Sequence, residues 1–297
     1  MTLIELMVAI TVGLILLAGV VQIFASNKQT YRVQDATSRL QENGRFAMDM
    51  LVRDIRMAGF WGCSRAPSSV VNNLNAGSSY VDPSQGGISG TDGAAGAPDT
   101  LVLQGGYGGG IWVNSHALAA ASLDVPTGNG LKDGQIIMIS DCTNADISQI
   151  TGPTNPSTAG NVVVNTGSGS PGNATKPAHQ YQNGAQIYAV HKLTYHIANG
   201  ASGQPSLFLD EDGSDQEMVE GVEDMQVLYG EDTDADGTAN RYVPAGTAGL
   251  NMENVVSVQL ALTLLTVDDN VSVASAGGDR RIRQSFNTTV TLRNRTQ

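Results

Sequence analysis

Residues 232–240 read DTDADGTAN, the densest set of potential ligands in the chain. Asp232, Asp234 and Asp236 alternate along a segment that Gly237 allows to bend sharply. Hard oxygen donors at this spacing suit calcium. The Thr238 carbonyl and the Asn240 side chain would fill the next positions, and Glu231 or a distant carboxylate would close the shell. An EF-hand requires a bidentate Glu at its twelfth position, where this chain has Val243, and a strand-like segment precedes the loop. The expectation is therefore a calcium loop on a hairpin, with a solvated acidic turn as the alternative. Asp210-Glu211-Asp212 with Asp215, and Asp268-Asp269, read as solvated turns.

Glu5 is the other residue whose placement implies chemistry. It stands beside residues 6–25, an uncharged run without proline. A carboxylate at membrane depth costs several kcal/mol unless it is paired. The nearest candidate partner is a free α-amino group, that of Met1 or of a neighbouring subunit. A glutamate snorkelling at the membrane edge is the alternative.

Catalysis is not expected. No G-x-S-x-G, Walker A, G-x-G-x-x-G or H-E-x-x-H motif occurs. His191 and His196 lie five apart in a strand-like run and so point to opposite faces. Arg241, Arg293 and Arg295 read as surface residues. Cys63 and Cys142 form no CxxC pair, so a zinc knuckle lacks ligands. In an exported protein they would form one disulfide; two buried thiols are the alternative.

The formal net charge is −12, which opposes nucleic-acid binding. Six basic and five acidic residues precede Trp61, so the excess negative charge lies wholly beyond it. With 41% hydrophobic residues the chain can bury a core.

The elements that position these residues begin with the N-terminal run. About 20 apolar residues span the hydrocarbon core of a bilayer, and no basic residue precedes Lys28, unlike a secretory signal. The pattern then turns amphipathic. Val33, Ala36, Leu40, Gly44, Ala47, Leu51, Ile55 and Ala58 recur at helical spacing, with Asp35–Arg39 and Asp49–Arg53 as i,i+4 pairs. One helix about 85 Å long is expected, stopped by Gly59 and Gly62. Residues 64–98 read as a long surface loop. Strand-like runs follow at 100–103, 135–140, 161–164, 186–197, 206–209, 217–229, 254–266 and 281–292, with one short helix allowed at 115–124. The fold class is α+β. Residues 1–26 form an apolar helix half, 27–60 an amphipathic half, and 61–297 an antiparallel β head docked on its stripe.

Residues 1–10, MTLIELMVAI, resemble the mature N-terminus of type IV pilin-like proteins. GFWGC at 59–63, GVEDMQVLYGED at 221–232 and VTLRNR at 290–295 resemble PilW-type minor pilins. The resemblance implies cleavage by a prepilin peptidase before Met1, N-methylation of Met1, and a Glu5 that neutralises an adjacent subunit's amine during assembly. It implies a subunit that primes type IV pilus assembly and forms part of the tip, supporting adhesion and twitching. Its partners would be other minor and major pilins and a large PilY1-like tip adhesin. It would sit in the inner membrane with a periplasmic head before assembly, and in the pilus at the cell surface after it. The pseudopilin J subunit of type II secretion shares this design, so a pseudopilus tip subunit is one alternative. A calcium-dependent adhesive or glycan-binding module is another.

Overall fold

A computed structural model describes residues 2–62, 70–75, 81–117, 120–167, 169–182, 184–272 and 278–295. Helix α1 runs from Leu3 to Met57 without a break. Residues 2–32 are exposed, whereas Ala36, Leu40, Gly44, Ala47, Met50, Leu51, Asp54 and Ile55 are buried. The expected stripe is thus the docked face, with Val33 at its half-buried start. Gly59 and Gly62 take left-handed φ values of 68° and 75° directly after the helix, where a side chain would be strained. Asp35 and Arg39 pair at 3.2 Å as expected. Arg53 does not pair with Asp49. It turns instead to Asp54, its neighbour in the chain, at 3.1 Å, because Asp54 is the carboxylate that the fold buries.

Among the described residues the head has three sheets. The largest has strands β1 (Val70–Asn72), β2 (Ile88–Thr91), β3 (Thr100–Trp112), β6 (Ile136–Ser140), β7 (Ala145–Gln149), β9 (Gln186–Asn199), β10 (Pro205–Glu211) and β11 (Ser214–Glu220). Its order is β1-β7-β6-β9-β10-β11, with β3 also on β9 and β2 on β3. Only β1–β7 is parallel in this sheet. A second sheet has β13 (Arg241–Val243), β12 (Val222–Glu231), β14 (Val255–Leu265) and β15 (Arg283–Thr291), in that order and all antiparallel. A small sheet joins β4 (Ser115–His116), β5 (Ser122–Asp124) and β8 (Asn161–Val163). The main core lies where α1 meets both large sheets: Leu40, Leu51 and Ile55 pack with Leu103, Tyr195, Val227, Leu262 and Val290.

Several segments depart from the sequence expectation. The supposed loop 64–98 contains β1 and β2 and buries Leu74, Val81 and Ile88; its residues 64–69 and 76–80 lie outside the described set. These strands are three and four residues long and depend on distant partners, so no local periodicity reveals them. Within the run 115–124, Ser115–His116 and Ser122–Asp124 are strands β4 and β5 rather than a helix, because Leu123 packs into a second core with Ile137 and Tyr181. The run 217–229 is two strands. Gly221 breaks it at φ 84°, where a Cβ would stand 2.7 Å from the Leu265 carbonyl oxygen.

The GGYGGG run lies within β3. Its first two glycines let the chain leaving α1 lie against the strand: Gly59 N–H donates to the Gln104 carbonyl and Gly106 N–H to that of Phe60, at 2.9 and 2.8 Å.

Candidate assembly surface and acidic loop

Helix α1 has an apolar stretch long enough to cross a membrane, and none of that stretch is buried by the rest of the chain. Its N-terminus is a capping box. Thr2 N–H donates to Glu5 Oε2 at 2.8 Å, and Glu5 N–H donates to Thr2 Oγ1 at 3.4 Å. Met1 lies outside the described residues. Within the chain Glu5 is therefore fixed by the helix's own first turn, where the helix dipole favours an acid, and its Oε1 has no described partner. Thr11 satisfies its hydroxyl on the Met7 and Val8 carbonyls, at 3.0 and 2.9 Å.

The acidic loop joins β12 to β13. One carboxylate oxygen each from Asp232, Asp234 and Asp236 lies within 4.8 Å of the others. Asp232 is buried and organises the turn. Its Oδ1 accepts N–H groups of Asp234 and Ala235 at 3.2 and 2.7 Å, and its Oδ2 accepts that of Gly237 at 2.7 Å. Burial opposes its charge, but these donors outweigh burial and hold its carboxyl below the usual range. The structure brings the three aspartates together but not the rest of the expected shell. Asn240 Oδ1 accepts the Thr233 N–H at 2.6 Å, and Thr238 N–H donates to Asp236 at 2.7 Å. Glu231 is occupied by Arg241 at 2.6 Å and by the Asn251 N–H at 2.9 Å. The Asn251 N–H, with Arg241, keeps the Glu231 carboxyl low against the effect of burial. Cys142 sits in the β6–β7 turn at φ 71°, and Cys63 lies outside the described residues.

The sequence reading missed three polar clusters. Asp54, on the buried face of α1, accepts the Tyr195 hydroxyl at 2.5 Å. Burial, then the Asp54 hydrogen bond, pushes that phenol far above its usual pKa. Position 54 falls three residues after Leu51, so the helical period placed it on the stripe. Asp146 is fully buried on β7. It accepts from Asn73 at 2.8 Å, Ala178 N–H at 3.1 Å, His179 Nδ1 at 2.9 Å and the Tyr181 hydroxyl at 2.5 Å. Arg295 is not a free surface residue. It is mostly buried and bonds the Met252 and Glu253 carbonyls, while Asn294 Nδ2 donates to the Met57 and Ala58 carbonyls at 3.3 and 3.2 Å. The acidic hairpin at 210–215 is more than a solvated turn, since His191 Nδ1 meets Asp212 at 2.7 Å and Glu211 at 3.3 Å. Chiefly the Asp212 hydrogen bond raises the His191 pKa.

Residues 194–294 match the family model described as PilW, Type IV Pilus-assembly protein W. Over that segment the chain is similar to the PilW-type, pilin-like family. The matched third begins inside β9 and runs through β15 to the Asn294 clamp. It includes the GVEDMQVLYGED segment and VTLRNR up to Asn294, and leaves α1 outside. The family links the chain to type IV pilus assembly. The exposed apolar half of α1 agrees with membrane anchoring and pilus association. No curated protein matches the chain.

Proposed function

We propose that this chain is a minor pilin that helps initiate type IV pilus assembly and forms part of the tip complex. The observation that carries the reading is the division of α1. One continuous rod docks its second half on the head and leaves its first half apolar and wholly exposed. Such a surface requires lipid or sibling helices. The match to a pilus-assembly family supports siblings as the destination. In lipid the rod is an anchor in the inner membrane with the head in the periplasm; in the filament it is the packing element. Glu5 neutralises the amine of an adjacent subunit as the rod leaves the membrane. Met1 would be the processed, methylated residue. Other pilins and a PilY1-like adhesin are the partners, with adhesion and twitching as the outcome.

The test compares Glu5→Ala with the parent chain at equal abundance in a strain lacking the native gene. Surface pili and twitching should be restored by the parent and should fall sharply with the variant. Incorporation of Glu5→Ala into sheared pili at the parent's level would defeat the proposal.

A further inference from the structure

We infer that the loop between β14 and β15 is a foot that rests on the membrane surface and binds the phosphates of anionic lipid headgroups while the chain is anchored. This inference rests on the anchoring half of the reading above.

Helix α1 fixes the height of the membrane surface. Residues 6–25 rise about 30 Å, the thickness of the hydrocarbon core. The run therefore fills the core, with Glu5 at one boundary and Ala25 at the other. The next turn is Ser26, Asn27, Lys28 and Gln29. Gln29 stands four residues past Ala25, a rise of about 6 Å. The headgroup layer is about 5–8 Å deep on each side of the core, so Gln29 lies within it.

The head reaches down to that level. Gln29 Nε2 donates to the carbonyls of Asn270 and Val271 at 3.3 and 3.2 Å. Among the described residues the next hydrogen bond from α1 to the head is at Asn43, whose Nδ2 donates to the Glu220 carbonyl of β11 at 3.2 Å. Asn43 is fourteen residues above Gln29, a rise of about 21 Å. The loop thus hangs below the sheets, beside the last exposed turns of α1. It is held in shape by its own bonds. Val271 and Ser272 donate their N–H groups to the Arg280 carbonyl at 2.9 and 2.8 Å, and Val271 is buried. These bonds keep Arg280 level with Gln29. The foot is residues 268–272 and 278–280; residues 273–277 lie outside the described set.

The charges at this level fit the partner. On α1, Lys28 and Arg32 are exposed and one turn apart, and no acidic residue stands between Glu5 and Asp35. On the foot, Arg280 is exposed, and its guanidinium meets Asn270 Oδ1 at 3.5 Å. None of these three cations has a described acidic partner. Three acids share the foot, and two are engaged. Asp279 holds Arg283 at 2.7 Å. Asp269 accepts the N–H groups of Asn270 and Arg280 at 2.7 and 3.0 Å, and Arg281, whose side chain bonds Gln204, offsets its charge. Asp268 is left to oppose Lys28, Arg32 and Arg280. The lower rim of a chain with net charge −12 is therefore positive. Cations held in the headgroup layer attract anionic lipid, and long basic side chains reach phosphate while their stems stay against the protein.

The experiment reconstitutes the full chain in vesicles of phosphatidylcholine and phosphatidylglycerol that contain a trace of phospholipid with a photoreactive headgroup. Label is mapped by mass spectrometry and expressed per chain recovered by flotation. Residues 268–272 and 278–280 should be labelled, and residues 232–240, at the other end of β12, should not. Arg280→Gln should lower the label on 268–272 about fivefold, the change produced by about 1 kcal/mol lost with one cation. Lys28→Gln with Arg32→Gln should lower it at least as far, and covers the case in which Arg280→Gln disturbs the loop. Vesicles of phosphatidylcholine alone should give the same loss with the parent chain. Undiminished label in the Lys28, Arg32 variant or in phosphatidylcholine alone would overturn the inference. A chain that floats with the vesicles yet carries no label at 268–272 would overturn the foot and leave the anchor standing; a chain that does not float would overturn both.

Discussion

Single side chains in the head are held by networks rather than by isolated pairs. Asp146 receives four donors in a site closed to water. Asp146→Ala would strand the Asn73, His179 and Tyr181 groups and should cost about 3 kcal/mol, read from urea unfolding. The acidic loop should respond to pH. The carboxyls of Asp232 and Glu231 are depressed in the folded chain. A depressed group stabilises fully above its unfolded value, about 4, and loses that contribution as pH falls through its folded value. The melting temperature should therefore drop from about pH 5 to about pH 3, and Asp232→Asn should flatten part of that drop. We also propose that the loop takes calcium. Asp232 uses three of roughly four acceptor sites on its own backbone, so Asp234 and Asp236 would supply most of the ligation. Millimolar calcium should raise the melting temperature of the parent but not of Asp234→Ala; an equal rise in both would exclude the site. The alternation of aspartates was readable in the sequence. The capture of Asn240 by Thr233 and of Glu231 by Arg241 was not, because it depends on how the hairpin folds back.

The elements differ in how openly the sequence announces them. Helix α1 was readable almost to its last residue, since a 3.6-residue period over several turns is strong and local. The short strands β1, β2, β4 and β5 were not, because their pairing is non-local. Contact between α1 and β15 rests on the absence of a side chain. A Cβ on Gly44 would lie 2.3 Å from the Phe286 ring. Gly44→Leu should destabilise the head by about 1–3 kcal/mol, and Phe286→Ala in the same chain should recover part of that loss. Denaturant midpoints of the single and double variants measure the coupling; strict additivity would show that the helix does not press on this strand.

At the scale of the molecule, charge and greasiness are segregated. The rod carries the apolar surface and the head carries the net negative charge. The reading of the chain as a pilin-like subunit came from its first ten residues and from segments at 59–63, 221–232 and 290–295, and the family match lies over the later part of the chain. The bond from Asn294 to the end of α1 was invisible in both. We propose that Cys63 and Cys142 close a disulfide just beyond α1; thiol titration of the unfolded, unreduced protein should then find no free cysteine, and two would refute it.

Asn294 binds the last carbonyls of α1, so a residue 237 positions beyond Met57 completes the exit of the first element. The junction between rod and head therefore closes only once the sheet that ends in β15 has formed. A head with that sheet undone would keep its greasy rod yet hold it by an open hinge.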